Sequence, residues 1–174
     1  MSASALARLQ ALLREQGGLM ASLLQPEQAP AANAGPAQIA AAGPRARGRA
    51  EEYELLLEAI YEGYLLHYGA PRVVRPPEDD LGLLAGDQLY ALGLARLIAL
   101  GDLQAVAELA DVITLTALAQ GDENEELALA IWDAGARAVG WGSSAAYDRA
   151  KALVHAQDPH ALSALRAATH PGAN

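Results

Sequence analysis

LLAGDQLYALGL, residues 83–94, is the stretch on which the reading of the fold turns. It sits inside an apolar run over residues 81–100 that carries glycines at 82, 86 and 93. A helix that is apolar nearly all round must be covered nearly all round. Each interior glycine costs about 1 kcal/mol relative to alanine, and close approach of another backbone is the usual compensation. The run therefore predicts a helix that is central to a bundle, or lies in a subunit interface, or both. Asp87 in that setting needs a cation, a helix N-terminus or a metal as partner.

The flanking sequence extends the helical pattern. EEYELLLEAIYEGYLLHYG, residues 51–69, places Tyr53, Leu56, Leu57, Ile60, Tyr61, Tyr64 and Leu65 at three-four spacing. Glu51, Glu54, Glu58 and Glu62 form a second stripe, expected to face solvent. Pro71, Pro76 and Pro77 make residues 70–80 a loop, and Glu78, Asp79 and Asp80 suit the N-terminus of the next helix. Gly101-Asp102 and Gly121-Asp122 read as a glycine stop followed by an aspartate cap. Further helices are expected over 103–120, 123–139, 144–156 and 159–168. Ser143-Ser144 and Asp158-Pro159 mark helix starts. Trp132 and Trp141 read as packing anchors.

Composition agrees. The 174 residues suffice for one domain with a real core. They are 52% hydrophobic, with no phenylalanine, and alanine and leucine dominate the apolar set. Both rank high in helix propensity. The formal charge of −9, from 12 Lys+Arg against 21 Asp+Glu, argues against nucleic acid and anionic membrane as partners. Asp87 and Arg96 would each cost roughly 2.5–3.5 kcal/mol at a bilayer centre, so membrane insertion is not expected. The cysteine count is zero, which excludes thiol chemistry and fits a cytoplasmic protein.

The N-terminal MSASALARLQALLREQGG lacks the continuous apolar core of a signal peptide. It predicts a helix over 2–25, weakened at Gly17-Gly18, that is either docked or a loose arm. Residues 25–50 are rich in proline, glycine and alanine and read as a mobile linker. The expected organisation is an N-terminal helix and linker over 1–49 and a helical bundle over 50–170.

A family resemblance enters at the opening stretch. LLAGDQLYALGLARLIALGD, residues 83–102, resembles the Leu-Ala-Gly-Asp-Tyr segment of trans-polyprenyl diphosphate synthases, where it forms a central helix. ADVITLTALAQGDE, residues 110–123, resembles the helix that follows it there, and YLLHYGAPR, residues 64–72, stands where the family has an apolar helix and then its first Asp-rich motif. At that place this chain has His67-Tyr68-Gly69. The paired arginines that follow in the family are reduced to Arg72 and Arg75, no second Asp-rich motif occurs, and Gln88 replaces the usual aromatic. Diphosphate ionisation needs several carboxylates to hold magnesium.

The resemblance therefore implies an all-α, partly isoprenoid-synthase-like bundle with a flexible N-terminal arm. It also implies a non-catalytic accessory subunit that pairs with a catalytic prenyl synthase, or self-associates, and modulates chain length or activity. In the homodimeric relatives the matching helices form the contact, which points to Leu84, Gly86, Asp87, Tyr90, Leu94, Leu97, Val106, Leu109 and Ile113 as interface residues. The rivals are a stand-alone helical scaffold or adaptor and an active enzyme on a minimal bundle. No catalytic residue, cofactor or metal ligand is assigned: Asp87 is a lone carboxylate, and His67, His155, His160 and His170 lack metal-ligand spacing.

Overall fold

The structure, a computed structural model, describes residues 4–26 and 35–169. Among these the chain is all-α, with no strand. The elements are α1 (Ala5–Gln16), α2 (Gly18–Ser22), α3 (Pro36–Ala41), a single 3-10 turn (Pro44–Ala46), α4 (Ala50–Tyr68), α5 (Asp79–Ala99), α6 (Leu103–Gly121), α7 (Glu125–Trp141), α8 (Ala145–His155) and α9 (Ala161–Thr169). The four long helices begin and end within two residues of the limits that periodicity and breakers predict.

The caps explain the boundaries. Gly17 takes φ of 70°, a left-handed conformation that separates α1 from α2. Gly101 repeats the device at φ of 78°, and Asp102 accepts the Ala105 N–H at 3.0 Å to start α6. Asn124, rather than Asp122, caps α7 by accepting from Leu127 N. Ser144 caps α8 in the same way.

The main core is built on α4 and α7. Tyr53, Leu56, Leu57 and Ile60 of α4 meet Ile131, Trp132 and Val139 of α7, with Leu97, Leu109, Val112 and Leu115 contributed by α5 and α6. α5 runs along α4, and α6 along α7. The apolar helix of residues 81–100 is thus lateral rather than central. Gly82, Ala85, Gly86, Leu89, Gly93 and Leu97 face inward, and the opposite side is exposed.

Two expectations about the N-terminal region are corrected. The first helix is docked: Leu9 and Leu13 are buried with Ala59, Val73 and Leu89 in a second core. The leucine stripe makes this possible, and Arg8 donates to Glu54 Oε2 at 2.7 Å beside it. Of the stretch read as a linker, residues 36–46 are core structure, with Ala37, Ala40 and Ala46 fully buried. Small side chains allow a backbone contact: a Cβ on Gly43 would lie 2.2 Å from the Gly140 carbonyl oxygen. Residues 27–34 of that stretch, and His170, lie outside the described residues.

Candidate functional site

The glutamate stripe of α4 is not a solvated face. Glu58 and Glu62 are buried, because their partners arrive from distant segments. Glu62 accepts the backbone N–H groups of Arg72, Val73 and Val74 at 2.7, 2.6 and 3.3 Å. Arg72 also reaches Glu62 through Nε at 3.3 Å and Glu58 through Nη2 at 2.6 Å. Gln38 Nε2 donates to Glu54 and Glu58 at 3.1 and 3.3 Å. Burial pushes the Glu62 carboxyl up, against the pull of those donors. The glutamates share Arg72 and Gln38 and together tie the loop at 72–74 and helix α3 to α4, so this constellation is structural.

A second constellation surrounds Asp87. His67 closes α4 and stacks flat on Tyr90 of α5, with ring centroids 5.3 Å apart. Its Nε2 lies 3.1 Å from Asp87 Oδ1, an ion-pair distance without hydrogen-bond alignment. Asp87 itself points outward, with its side chain 72% exposed. Gly86 is required here because a Cβ would sit 2.7 Å from the imidazole and 3.0 Å from the Gly63 carbonyl oxygen. Burial also pushes the Tyr90 phenol up. Asp87 is therefore not buried as the apolar run predicts, and the group beside it is a histidine at the rim. Glu78 takes the N-cap position of α5 without a side-chain capping bond, and Asp79 and Asp80 occupy its first turn, as expected of helix-start acids.

Above this pair an open groove of about 530 Å³ runs between the end of α4 and the start of α5. Leu66, His67, Tyr68, Arg75, Asp79 and Leu83 are among the side chains on its walls. Linear sequence gives no signal of it, since the walls come from a helix end, a proline loop and a helix start. Among the described residues no three His, Asp or Glu side chains gather where a metal ion could be held.

The nine residues assigned to an interface divide. Leu84 and Asp87 are exposed; Tyr90, Leu94, Val106 and Ile113 are half-buried. Gly86, Leu97 and Leu109 are buried in the chain's own core, because they lie on the inner faces of α5 and α6. The outward faces carry Leu84, Ala91, Ala95 and Ile98 on α5, beside the exposed Asp87, Gln88 and Arg96, and Leu103, Ala107, Ala110, Thr114, Ala117 and Leu118 on α6, beside Gln104. Five of the nine large apolar side chains exposed among the described residues fall on these two helices, so exposed apolar surface is concentrated there. The charges of α6 are turned away: Glu108 and Asp111 pair with Lys151 of α8 at 3.0 and 2.9 Å. Both helices are long and apolar enough to cross a membrane by length and composition alone, yet both bury one side against the bundle.

Trp132 is fully buried, edge-on to Tyr61 and Tyr64, whereas Trp141 is 40% exposed beneath Arg137. Comparison with protein-family models, with curated proteins and with solved structures finds no match to this chain.

Proposed function

We propose that this chain is a non-catalytic accessory subunit that presents the outward faces of α5 and α6 to a second helical protein. The observation that carries the reading is the concentration of exposed large apolar side chains, Leu84, Ile98, Leu103 and Leu118, on two consecutive helices, with Asp87 and Arg96 as the charges among them. Monomeric proteins rarely leave a contiguous apolar patch of more than a few hundred Å² uncovered. Two helices of 21 and 19 residues, joined at the Gly101-Asp102 turn, together offer roughly 600 Å² of outward face. Covering it would bury on the order of 1,200 Å² in total, the lower end of a specific interface.

The partner class comes from the resemblance of residues 83–102 to trans-polyprenyl diphosphate synthases: a full-length catalytic prenyl synthase whose activity or product length the subunit adjusts. Among the described residues the clustered glutamates of α4 are engaged by Arg72 and Gln38 in holding neighbouring segments. The mechanism is steric and stabilising, with α5 and α6 completing the partner's helical packing. The test is to co-express the chain with the prenyl diphosphate synthases of its own organism and to assay elongation by the complex and by each component. The account expects a stable complex whose products differ in length or amount from those of the synthase alone. A set of synthases that neither bind nor change their products in its presence would overturn it.

A second reading, a stand-alone scaffold or adaptor, draws on the burial of Leu97 and Leu109 within this chain. Its core is complete without a partner, as an independent adaptor requires. Binding through the same face to an unrelated helical protein would favour it.

A further inference from the structure

We propose that the groove between the end of α4 and the start of α5 is a binding site for a free α-amino acid with an apolar side chain. The proposal is independent of the partner face on α5 and α6. The groove's volume of about 530 Å³ suits a small molecule. Its walls combine the guanidinium of Arg75, the carboxylate of Asp79, the rings of His67 and Tyr68, and the apolar side chains of Leu66 and Leu83. Neither Arg75 nor Asp79 makes an ion pair, with the other or with any other group among the described residues. Their neighbours differ, since Arg72, Glu58 and Glu62 are all engaged.

The charge pattern selects the ligand. A simple anion drawn to Arg75 meets the Asp79 carboxylate and a net charge of −9. A simple cation drawn to Asp79 meets the Arg75 guanidinium. A zwitterion places its carboxylate on Arg75, where paired N–H donors suit it, and its ammonium on Asp79. Its side chain then covers the leucines.

The frame is set before any ligand arrives. The Arg75 N–H donates to the Leu23 carbonyl at 2.8 Å, and Leu24 and Val74 pair as an antiparallel bridge. Glu62 holds the three preceding N–H groups. Pro76 rests on Gly82, where a Cβ would approach it to 3.2 Å. A fixed backbone on both sides of Arg75 lowers the ordering cost of binding.

The experiment is an amide NMR titration of the full chain with leucine, methionine and phenylalanine, alongside N-acetyl-leucine and leucinamide, each to about 10 mM. The proposal expects saturable shifts around residues 66–83 with at least one free amino acid. It expects weakening by about tenfold or more with either blocked analogue, and likewise in Arg75→Gln and Asp79→Asn. Both positions are exposed, so a wild-type spectrum elsewhere shows that the variants remain folded. Absence of saturable binding by all three amino acids would overturn it. So would blocked analogues that bind as tightly as leucine, or an Arg75→Gln chain that binds unchanged.

Discussion

Gly63 and Gly86 meet backbone to backbone across the α4–α5 crossing. A Cβ on Gly63 would lie 2.9 Å from the Gly86 carbonyl oxygen, and one on Gly86 would lie 3.0 Å from the Gly63 carbonyl oxygen. Gly93 continues the seam, where a Cβ would fall 2.4 Å from the Ile60 side chain. The glycines of α5 thus serve a contact within the chain. That leaves its opposite side, with Leu84 and Ile98, turned outward.

A tight backbone approach can be tested directly. A Cβ at Gly140 would lie 2.5 Å from the Ala40 carbonyl oxygen, which cannot swing aside as a side-chain end would. Gly140→Ala should destabilise by about 1–3 kcal/mol through overpacking. Gly121, also helical, has nothing within 4 Å of its Cβ position. Gly121→Ala should stabilise by about 0.5–1 kcal/mol. Urea unfolding of the two variants should move the midpoint in opposite directions.

Asp102 joins four segments. It caps α6, accepts the Tyr53 hydroxyl at 2.5 Å and pairs with Arg45 at 2.8 Å, while Arg45 also donates to the Val139 carbonyl. Burial alone would raise its carboxyl, but the donors from Tyr53, Ala105 and Arg45 outweigh burial and hold it below the ordinary carboxylate range. A lowered carboxyl contributes stability above its unfolded value of about 3.9 and loses it as pH falls through the folded value. Asp102→Ala should cost about 3 kcal/mol at neutral pH. It should also flatten the loss of stability below about pH 4, measured by denaturant unfolding across pH.

Glu62 bears the opposite sign. Burial raises its carboxyl, so its ionisation disfavours the fold as pH rises through the folded value. Glu62→Gln keeps an oxygen for the Arg72 and Val73 N–H groups and should stay within about 1 kcal/mol of wild type. Glu62→Ala orphans those buried donors and should cost about 3 kcal/mol. Comparable losses in both variants would show that the charge, rather than the acceptor, secures the loop.

Much of this architecture was legible in the sequence because helix periodicity and cap residues are local signals. Gly101-Asp102 marked the α5–α6 joint to the residue, and Ser144 the start of α8. Non-local partners left no such trace. Glu58 and Glu62 looked solvated because Gln38 and Arg72, which pair with them, lie 20 and 10 residues away. Residues 36–46 looked like a linker because alanine and glycine carry little apolar area, yet that smallness lets their backbone touch α7. Helix 81–100 was apolar all round, and composition alone could not say which side α4 would take. The resemblance that assigns Gly86, Leu97 and Leu109 to an interface likewise does not separate the inner from the outer faces of α5 and α6. The groove between Arg75 and Asp79 depends on a proline loop whose path no periodicity encodes.

The most direct test of the partner face is a binding measurement with Leu84→Asp and Ile98→Asp, singly and together. Both side chains are more than half exposed, at 56% and 54%, so each substitution should change the stability of the isolated chain by no more than about 0.5 kcal/mol. Affinity for the co-expressed prenyl synthase is measured with each variant against wild type. The account predicts at least about a tenfold loss for each single variant and no measurable complex for the double variant. A double variant that binds the synthase as tightly as wild type would contradict it.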